Sequence, residues 1–452
     1  MERDSGNRLR RHLEDILSAG LRASDPGAAV GRCLSVEGGR VKVRVPGGEE
    51  ETFEPERVFV LAAGKAAGPM AGAAVELLGG LLSGGLVLTK DGHAVPESAR
   101  EAGLEVRFAA HPEPDGRGEE AASRAAKVAE ELGGNDLLLC LISGGASALL
   151  ADPDPSVGLG DLGSLTGSLL RSGASISEIN TVRKHISTLK GGGLARLAAP
   201  ASVISLLLSD VVGDDPSAIA SGPTVPDPTT LDEARAILDA YEIEPPASVV
   251  GLLRSAPETA KADDVVFEKV TNVVCGGGGS SVEAAAQRAA ELGYEPLIVS
   301  TYMNGDARGI AAAYAAMIRE SRQSGNPSTP PCALVSGGEA TVVVRGDEPG
   351  EGGPNQELAL ALALELDGVD GWAALAADTD GNDGSTEAAG GVVDGETAAR
   401  VREAGVDPAK ALSRNDSRRA LEAGGALLVT GPTGTNVNDL RIALVEGERT
   451  EP

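Results

Sequence analysis

Aromatic side chains are scarce in this chain: 2% of its 452 residues, with a single tryptophan. The apolar content, 42% in all, is largely Ala, Val and Leu, so the core is built from small and branched aliphatic groups. Cysteine is scarce too. Cys33, Cys140, Cys275 and Cys332 show no CxxC spacing, and three of them fall in or beside strand-like runs, which predicts reduced, structural thiols. Four histidines without HExxH or paired spacing exclude a catalytic zinc site of the usual kind, and His111 and His185 read as turn and core residues. Basic clusters are lacking: 39 Lys and Arg stand against 67 Asp and Glu, a formal charge of −28. Such a balance argues against non-specific binding to nucleic acid or to an anionic membrane, both of which reward cations. No apolar run reaches 18 residues, and the opening MERDSGNRLRRHLEDIL lacks the apolar centre of a signal peptide, so cytoplasmic residence is expected.

What is abundant is glycine, with 61 residues beside 26 prolines, which implies many tight turns between short elements. The length exceeds what one core usually supports and predicts two domains. Residues from about Gly6 to Arg22 read as an amphipathic helix, and Arg40 to Phe59 as a hairpin around ProGlyGlyGlu. Four apolar runs then end in glycine-rich turns: VFVLAAGKAAGPM from Val58, LLLCLISGGASALL from Leu137, NVVCGGGGSSVEAAAQ from Asn272 and CALVSGGEATVVV from Cys332. This is the sequence form of βα units on a parallel sheet, although the last run is equally readable as a continuing strand. The expectation is an α/β protein of two α/β domains, 1–255 and 256–452. The N-terminal one is Rossmann-like with a mainly parallel sheet, and a distinct module occupies about 330–445.

Chemistry concentrates where apolar runs stop. Val203 to Leu208 runs straight into Ser209 and Asp210, with Asp214 and Asp215 on the same turn, and in doubly wound folds ligands bind outside such strand ends. Lys65, directly after a buried run in GKAAG, suits a phosphate or carboxylate as a point charge. The Walker pattern is absent, with Phe59 and Ala66 at two of its positions. In SGGASA, Ser143, Gly144, Gly145 and Ser147 can form a nest for an anion. A serine-hydrolase reading fails on the GxSxG pattern, because Leu141 occupies the first glycine position. The turn at Gly276 departs from the dinucleotide fingerprint, with Ser281 in the place of its third glycine. In AADTDGNDGSTEAAGG, a buried run from Trp372 to Ala377 meets Asp378, Asp380, Asn382 and Asp383. Asp380 there is a candidate for binding a metal ion or deprotonating a hydroxyl.

Eight segments together resemble the class II glycerate 2-kinases, proteins with a MOFRL domain that are often labelled hydroxypyruvate reductases. They are GKAAGPM at Gly64, AAHPEPD at Ala109, LISGGASALL at Leu141, RSGASISEINTVRKHIS at Arg171, LSDVVGDDPSAIASGPTVPDPTT at Leu208, GGPNQELALA at Gly352, ADTDGNDGSTEAAGG at Ala377 and TGPTGTNVNDL at Thr430. The resemblance spans nearly the whole chain. It implies ATP- and Mg²⁺-dependent phosphorylation of D-glycerate at its 2-hydroxyl in a cleft between two α/β domains, with a homodimer as the assembly. It marks Lys65, Asp210 and Asp380 as catalytic positions, with Asp210 and Asp380 as metal ligands. Ser143, Gly144, Gly145, Ser147, Lys184, Asn355 and Glu357 are marked for substrate or phosphate. The chain departs from the family pattern at Pro354 and Gly193, both usually arginine, and in lacking an Asn before the helix that follows Gly276. Arg183, Lys184 and Arg345 are cations placed to compensate. The alternatives are an NAD(P)H-dependent hydroxypyruvate reductase, a kinase acting on another 2-hydroxy acid, and a silent sensor of glycerate or nucleotide.

Overall fold

The computed structural model describes residues 2–45, 47–344 and 349–447; Arg345 lies outside them. The chain divides into two compact units. One is Pro26–Cys275; the other joins the N-terminal stretch through Asp25 to the chain from Gly276 onward. Helix α1 (Glu2–Ala23) opens the second of these, with Leu9, Leu13, Ile16 and Leu17 at helical spacing forming its buried stripe.

The Pro26–Cys275 unit is built on strands β1 (Arg57–Ala63), β2 (Leu82–Lys90), β3 (Leu104–Ala109), β4 (Asp136–Ser143), β5 (Ser202–Leu208) and β6 (Val270–Gly276), lying in the order β3-β2-β1-β4-β5-β6. The pairings among β1 to β5 are all parallel. Every residue of β4, and every residue of β5 from Val203 on, is buried, as strands covered on both faces require. From β1 the chain moves outward to β2 and β3; after β4 it moves the other way, to β5. The strand order therefore reverses between β1 and β4, the point outside whose carboxyl ends doubly wound folds bind ligands. Helix α2 (Ala67–Leu78) follows β1 as expected, whereas the turn after β4 opens into a single helical turn, Ala146–Leu149. Two further helices matter for the site, α3 (Ile176–His185) and α4 (Gly193–Ala198). The predicted hairpin is present as Arg40–Arg44 against Glu50–Phe53 but stops there, because the chain from Arg57 is recruited into the main sheet.

The remaining unit carries helix α5 (Gly278–Glu291) and strands β7 (Glu295–Ser300) and β8 (Cys332–Gly338). Helix α6 (Pro354–Glu365) follows, then strands β9 (Trp372–Asp378), β10 (Gly390–Asp394), β11 (Leu427–Leu428) and β12 (Asp439–Val445). The sheet order is β7-β8-β12-β9-β10-β11, with β7 and β8 parallel and the other pairs antiparallel. After β8 no helix forms; the chain continues to the short strand Ala340–Thr341.

The unit boundary differs from the expected one at residue 255 for two reasons. Strand β6 is the edge neighbour of β5 and ties Asn272 to Thr224, so the chain stays in the first unit through Cys275. The stripe of α1 packs with Val282, Ala285 and Ala289 of α5, which draws the N-terminus into the other unit. The four cysteines are free, and all but the half-buried Cys33 are buried. No described helix is long and apolar enough to cross a membrane.

Candidate active site

At the switch point, β1 turns through Gly64 into Lys65, and β4 ends in Ser143, Gly144 and Gly145. The two turns are tied together by the backbone. The Lys65 N–H donates to the Gly144 carbonyl at 2.8 Å, and the Ala66 N–H donates to Ser143 Oγ at 3.0 Å. Gly64 has φ +125°, and a Cβ there would collide with Ser143, so only glycine allows this approach. A Cβ on Gly144 would collide with the Asp210 carboxylate. One on Gly145, at φ +84°, would lie 3.1 Å from His111 Nε2 and 3.4 Å from Lys65 Cγ. Lys65, Ser143, Gly144, Gly145 and Asp210 thus meet in one place, carried by the ends of β1, β4 and β5. Ser147 sits one step further on, its Oγ 2.9 Å from Ser221 Oγ, which donates to Asn180 Oδ1 of α3 at 3.1 Å.

The field at this point is cationic. Lys65 and Lys90, the last residue of β2, are both half-buried. Burial pushes the Asp210 carboxyl up, and Lys65 opposes the shift. Burial first, and then the charges of Lys65 and Lys90, lower His111 to about 4, so its imidazole is neutral at pH 7. His111 was read from sequence as a turn residue, yet it closes the space over Gly145. The signal was available: His111 stands two residues beyond the end of β3, the same strand-end rule that singled out Lys65 and Asp210.

Three other expected ligands, Lys184, Asn355 and Glu357, are engaged in internal contacts. Lys184 is buried, its Nζ 3.2 Å from Asp227 Oδ1, and Asp227 also accepts from the Thr229 and Thr259 hydroxyls. Freeing that ammonium for a ligand would strand a buried carboxylate. Asn355 and Glu357 are likewise buried near the start of α6. Asn355 Nδ2 reaches Asp439 Oδ1 at 2.6 Å and Asp383 Oδ1 at 3.2 Å, while Glu357 takes Arg308 Nε at 2.7 Å and Asn415 Nδ2 at 2.8 Å. The NQE segment therefore fastens α6 to the acidic loop, whose Asp383 accepts the N–H groups of Asn355 and Gln356 at 3.0 and 2.8 Å.

Asp380 belongs to that loop and thus to the other unit from Asp210. Its N–H donates to Asp378 Oδ1 at 2.9 Å, and its own Oδ1 accepts from the Asn382 N–H at 2.7 Å. Burial, then the Asp380 charge, drives the Asp378 carboxyl up to about 8, and burial drives Asp383 up to about 6. Among the described residues, no group of three or more His, Cys, Asp or Glu side chains is arranged to hold a metal ion.

Comparison with known proteins identifies the family. Residues 12–254 match a domain described only as of unknown function, DUF4147, and residues 332–439 match the MOFRL family. A glycerate 2-kinase from Pyrococcus horikoshii is 41% identical over 442 residues, 96% of this chain and 97% of that protein. The chain belongs to the MOFRL-domain glycerate 2-kinase family. A crystal structure of glycerate kinase from Thermotoga maritima superposes with a TM-score of 0.86 at 39% identity, covering 97% of this chain and 100% of that one. Another family member, from Agrobacterium vitis, is 44% identical over 86% of this chain and 87% of its own length, and is named provisionally as a hydroxypyruvate reductase. Gly193, one of the two departures from the family pattern, begins α4, where a Cβ would collide with the Thr188 carbonyl oxygen unless the backbone shifts.

Proposed function

We propose that this protein phosphorylates D-glycerate at its 2-hydroxyl, taking the phosphoryl group from ATP in the presence of Mg²⁺ and releasing 2-phosphoglycerate and ADP. The observation that carries the reading is the convergence of Lys65, the Ser143–Gly145 turn and Asp210 at the switch point of the parallel sheet. Phosphoryl transfer asks a protein chiefly to position the reactants and stabilise charge. Lys65 supplies a cation at a strand end, and the Ser143–Gly145 turn holds an anionic group. Asp210, raised by burial, is suited to take the hydroxyl proton.

Magnesium fits the donor chemistry, because it is commonly held by one or two carboxylates together with substrate phosphates and water. Asp210 in one unit and Asp380 in the other are each a carboxylate suited to hold it, and bound metal would neutralise charge on the phosphates. The crowding that leaves Asp378 partly protonated marks the Asp380 loop as a place where added positive charge is welcome.

The reductase reading rests on the name of the Agrobacterium relative and finds no dinucleotide fingerprint at Gly276. The same proposal keeps the partners to small molecules and the protein to a cytoplasmic homodimer, which light scattering after size exclusion checks. The deciding assay follows ADP formation from D-glycerate, ATP and Mg²⁺ and identifies the phosphorylated product, with hydroxypyruvate and NADH run in parallel. Magnesium-dependent 2-phosphoglycerate is expected. NADH oxidation without ADP formation would replace the reading with the reductase, and turnover only with another 2-hydroxy acid would change the substrate.

A further inference from the structure

Arg183, in the last turn of α3, is half-buried and has no ion-pair or hydrogen-bond partner for its guanidinium among the described residues. In a chain with 67 acidic groups against 39 basic ones, an arginine left without a carboxylate is out of character. The C-terminal end of a helix favours a cation, but only by about 0.3–1 kcal/mol at most surface sites. Taking a guanidinium partly out of water without a counter-charge works against folding, and burial alone lowers its affinity for the proton here.

Its surroundings are unusual in a second, independent way. One turn earlier on the same helix, neighbouring Arg183 at i−3, Asn180 joins the hydroxyl chain to Ser221 and Ser147 that leads to the Ser143–Gly145 turn. Ser221 is fully buried at φ +59°, beside Ala220 at φ +52°, and Asp214 of the same segment has φ +53°. Non-glycine residues in this region cost on the order of 1–2 kcal/mol each, and such strain tends to cluster where a ligand is gripped.

We propose that Arg183, with Asn180, Ser221 and Ser147, forms an oxyanion subsite that takes the carboxylate of the 2-hydroxy acid. The inference rests on reading the Ser143–Gly145 turn as the active site. A guanidinium fork matches the two oxygens of a carboxylate, a fit that a lysine cannot reproduce. It also gives the chain a bidentate cation of its own, although positions 193 and 354 carry none.

Steady-state kinetics of Arg183→Gln and Arg183→Lys test it. The Gln variant is expected to raise KM for D-glycerate roughly tenfold or more, as loss of a charged hydrogen bond implies, with kcat and KM for ATP little changed. The Lys variant should recover only part of the loss. A rise confined to KM for ATP, or no change in either KM, overturns it. Unliganded Arg183→Gln should melt at the wild-type temperature or above, since an uncompensated charge has been removed. A large drop in both variants would make Arg183 a structural residue and overturn the subsite.

If wild-type protein turns over neither substrate, the proposed function fails and the subsite is still testable. D-glycerate and inorganic phosphate are titrated separately against wild-type and Arg183→Gln protein by thermal shift. Stabilisation of wild type alone supports the subsite, and equal behaviour of the two proteins overturns it.

Discussion

The turn after β5 and the loop after β9 are built alike, each a buried apolar strand running into aspartates and glycines, yet their carboxylates sit in opposite fields. Asp210 stands two residues beyond its strand; burial raises its proton affinity and the charge of Lys65 pulls it back down. Asp378 ends its strand near Asp380, and burial first, then the like charge of Asp380, pushes the Asp378 carboxyl up to about 8. The difference lies in the neighbouring strands. Beside Asp210 the next strand ends are those of β4 and β1, which deliver a glycine nest and a lysine. Beside Asp378 the neighbour β12 begins with Asp439, a third carboxylate. Local sequence sets where a charge stands; sheet order sets what it faces.

The sharpest way to break the comparison is to remove the cation. Lys65→Ala is expected to lower kcat/KM about 10²–10³-fold, the usual scale for losing one charge-stabilising group, while the melting temperature holds. Because Lys65 opposes the rise of Asp210, the acid limb of the remaining activity should also move to higher pH, and a pH–rate profile of the variant reads this directly. Asp210→Asn should lower kcat about 10²–10⁴-fold, as loss of a general base does, and abolish that limb. An Asp210→Asn enzyme that keeps its rate and its acid limb would remove Asp210 from the chemistry.

Restoring the family's arginines sharpens the comparison by treating the two units separately. Gly193→Arg places a Cβ against the Thr188 carbonyl, in a turn already crowded by Ala260 and Phe267 around Gly192. A loss of about 1–3 kcal/mol is expected, the range for overpacking that forces backbone shifts, measurable by urea unfolding. Unchanged stability would mean that α4 can move away and that glycine is incidental at this position.

Much of this was legible along the chain. The βα grammar, the run Val203 to Leu208 and the strand-end positions of Lys65, Ser143 and Asp210 depend on short-range pattern, and the structure brings those residues together. What was not legible depends on partners distant in sequence. Lys184 looks like a free cation until Asp227 is seen 3.2 Å away, and Asn355 and Glu357 look like ligands until Asp439, Arg308 and Asn415 enclose them. His111 differs in the other direction: four scattered histidines give no pairing signal, and its strand-end position two residues beyond β3 is the feature that points to the site. The boundary at Cys275 was missed because an edge strand is defined by its neighbour.

Asp378 offers a smaller and more local test. Its folded-state value, about 8, lies above the ordinary 3.8, so the folded protein holds this proton more tightly than the unfolded chain does. The resulting stabilisation is complete below about pH 4 and is lost as pH rises through 8. Asp378→Asn should therefore flatten the fall of melting temperature between pH 5 and 9 without changing its value near pH 4 by much. A steeper fall in the variant would mean that the ionised carboxylate is paired. Mg²⁺ should raise the melting temperature of wild type more at pH 8 than at pH 5 if the loop accepts a cation.

Pro354→Arg carries the smallest expected effect on stability and the most informative effect on rate. Pro354 is the first residue of α6, half-buried, a position where a missing N–H is harmless and a fixed φ is helpful. Replacing it gives up about 0.4–1 kcal/mol of unfolded-state restriction. It also sets a cation at the positive end of the helix dipole, a small penalty that the adjacent carboxylates of Asp383 and Asp439 offset. Geometry therefore permits arginine here, unlike at position 193. Turnover should be equal to or higher than that of wild type, since the acidic loop after β9 would regain the cation that the turn after β5 already has. A collapse of kcat in a variant that melts normally would show that the segment from Gly352 to Glu357 has been rebuilt around proline, with Arg183 and Lys65 supplying the positive charge alone.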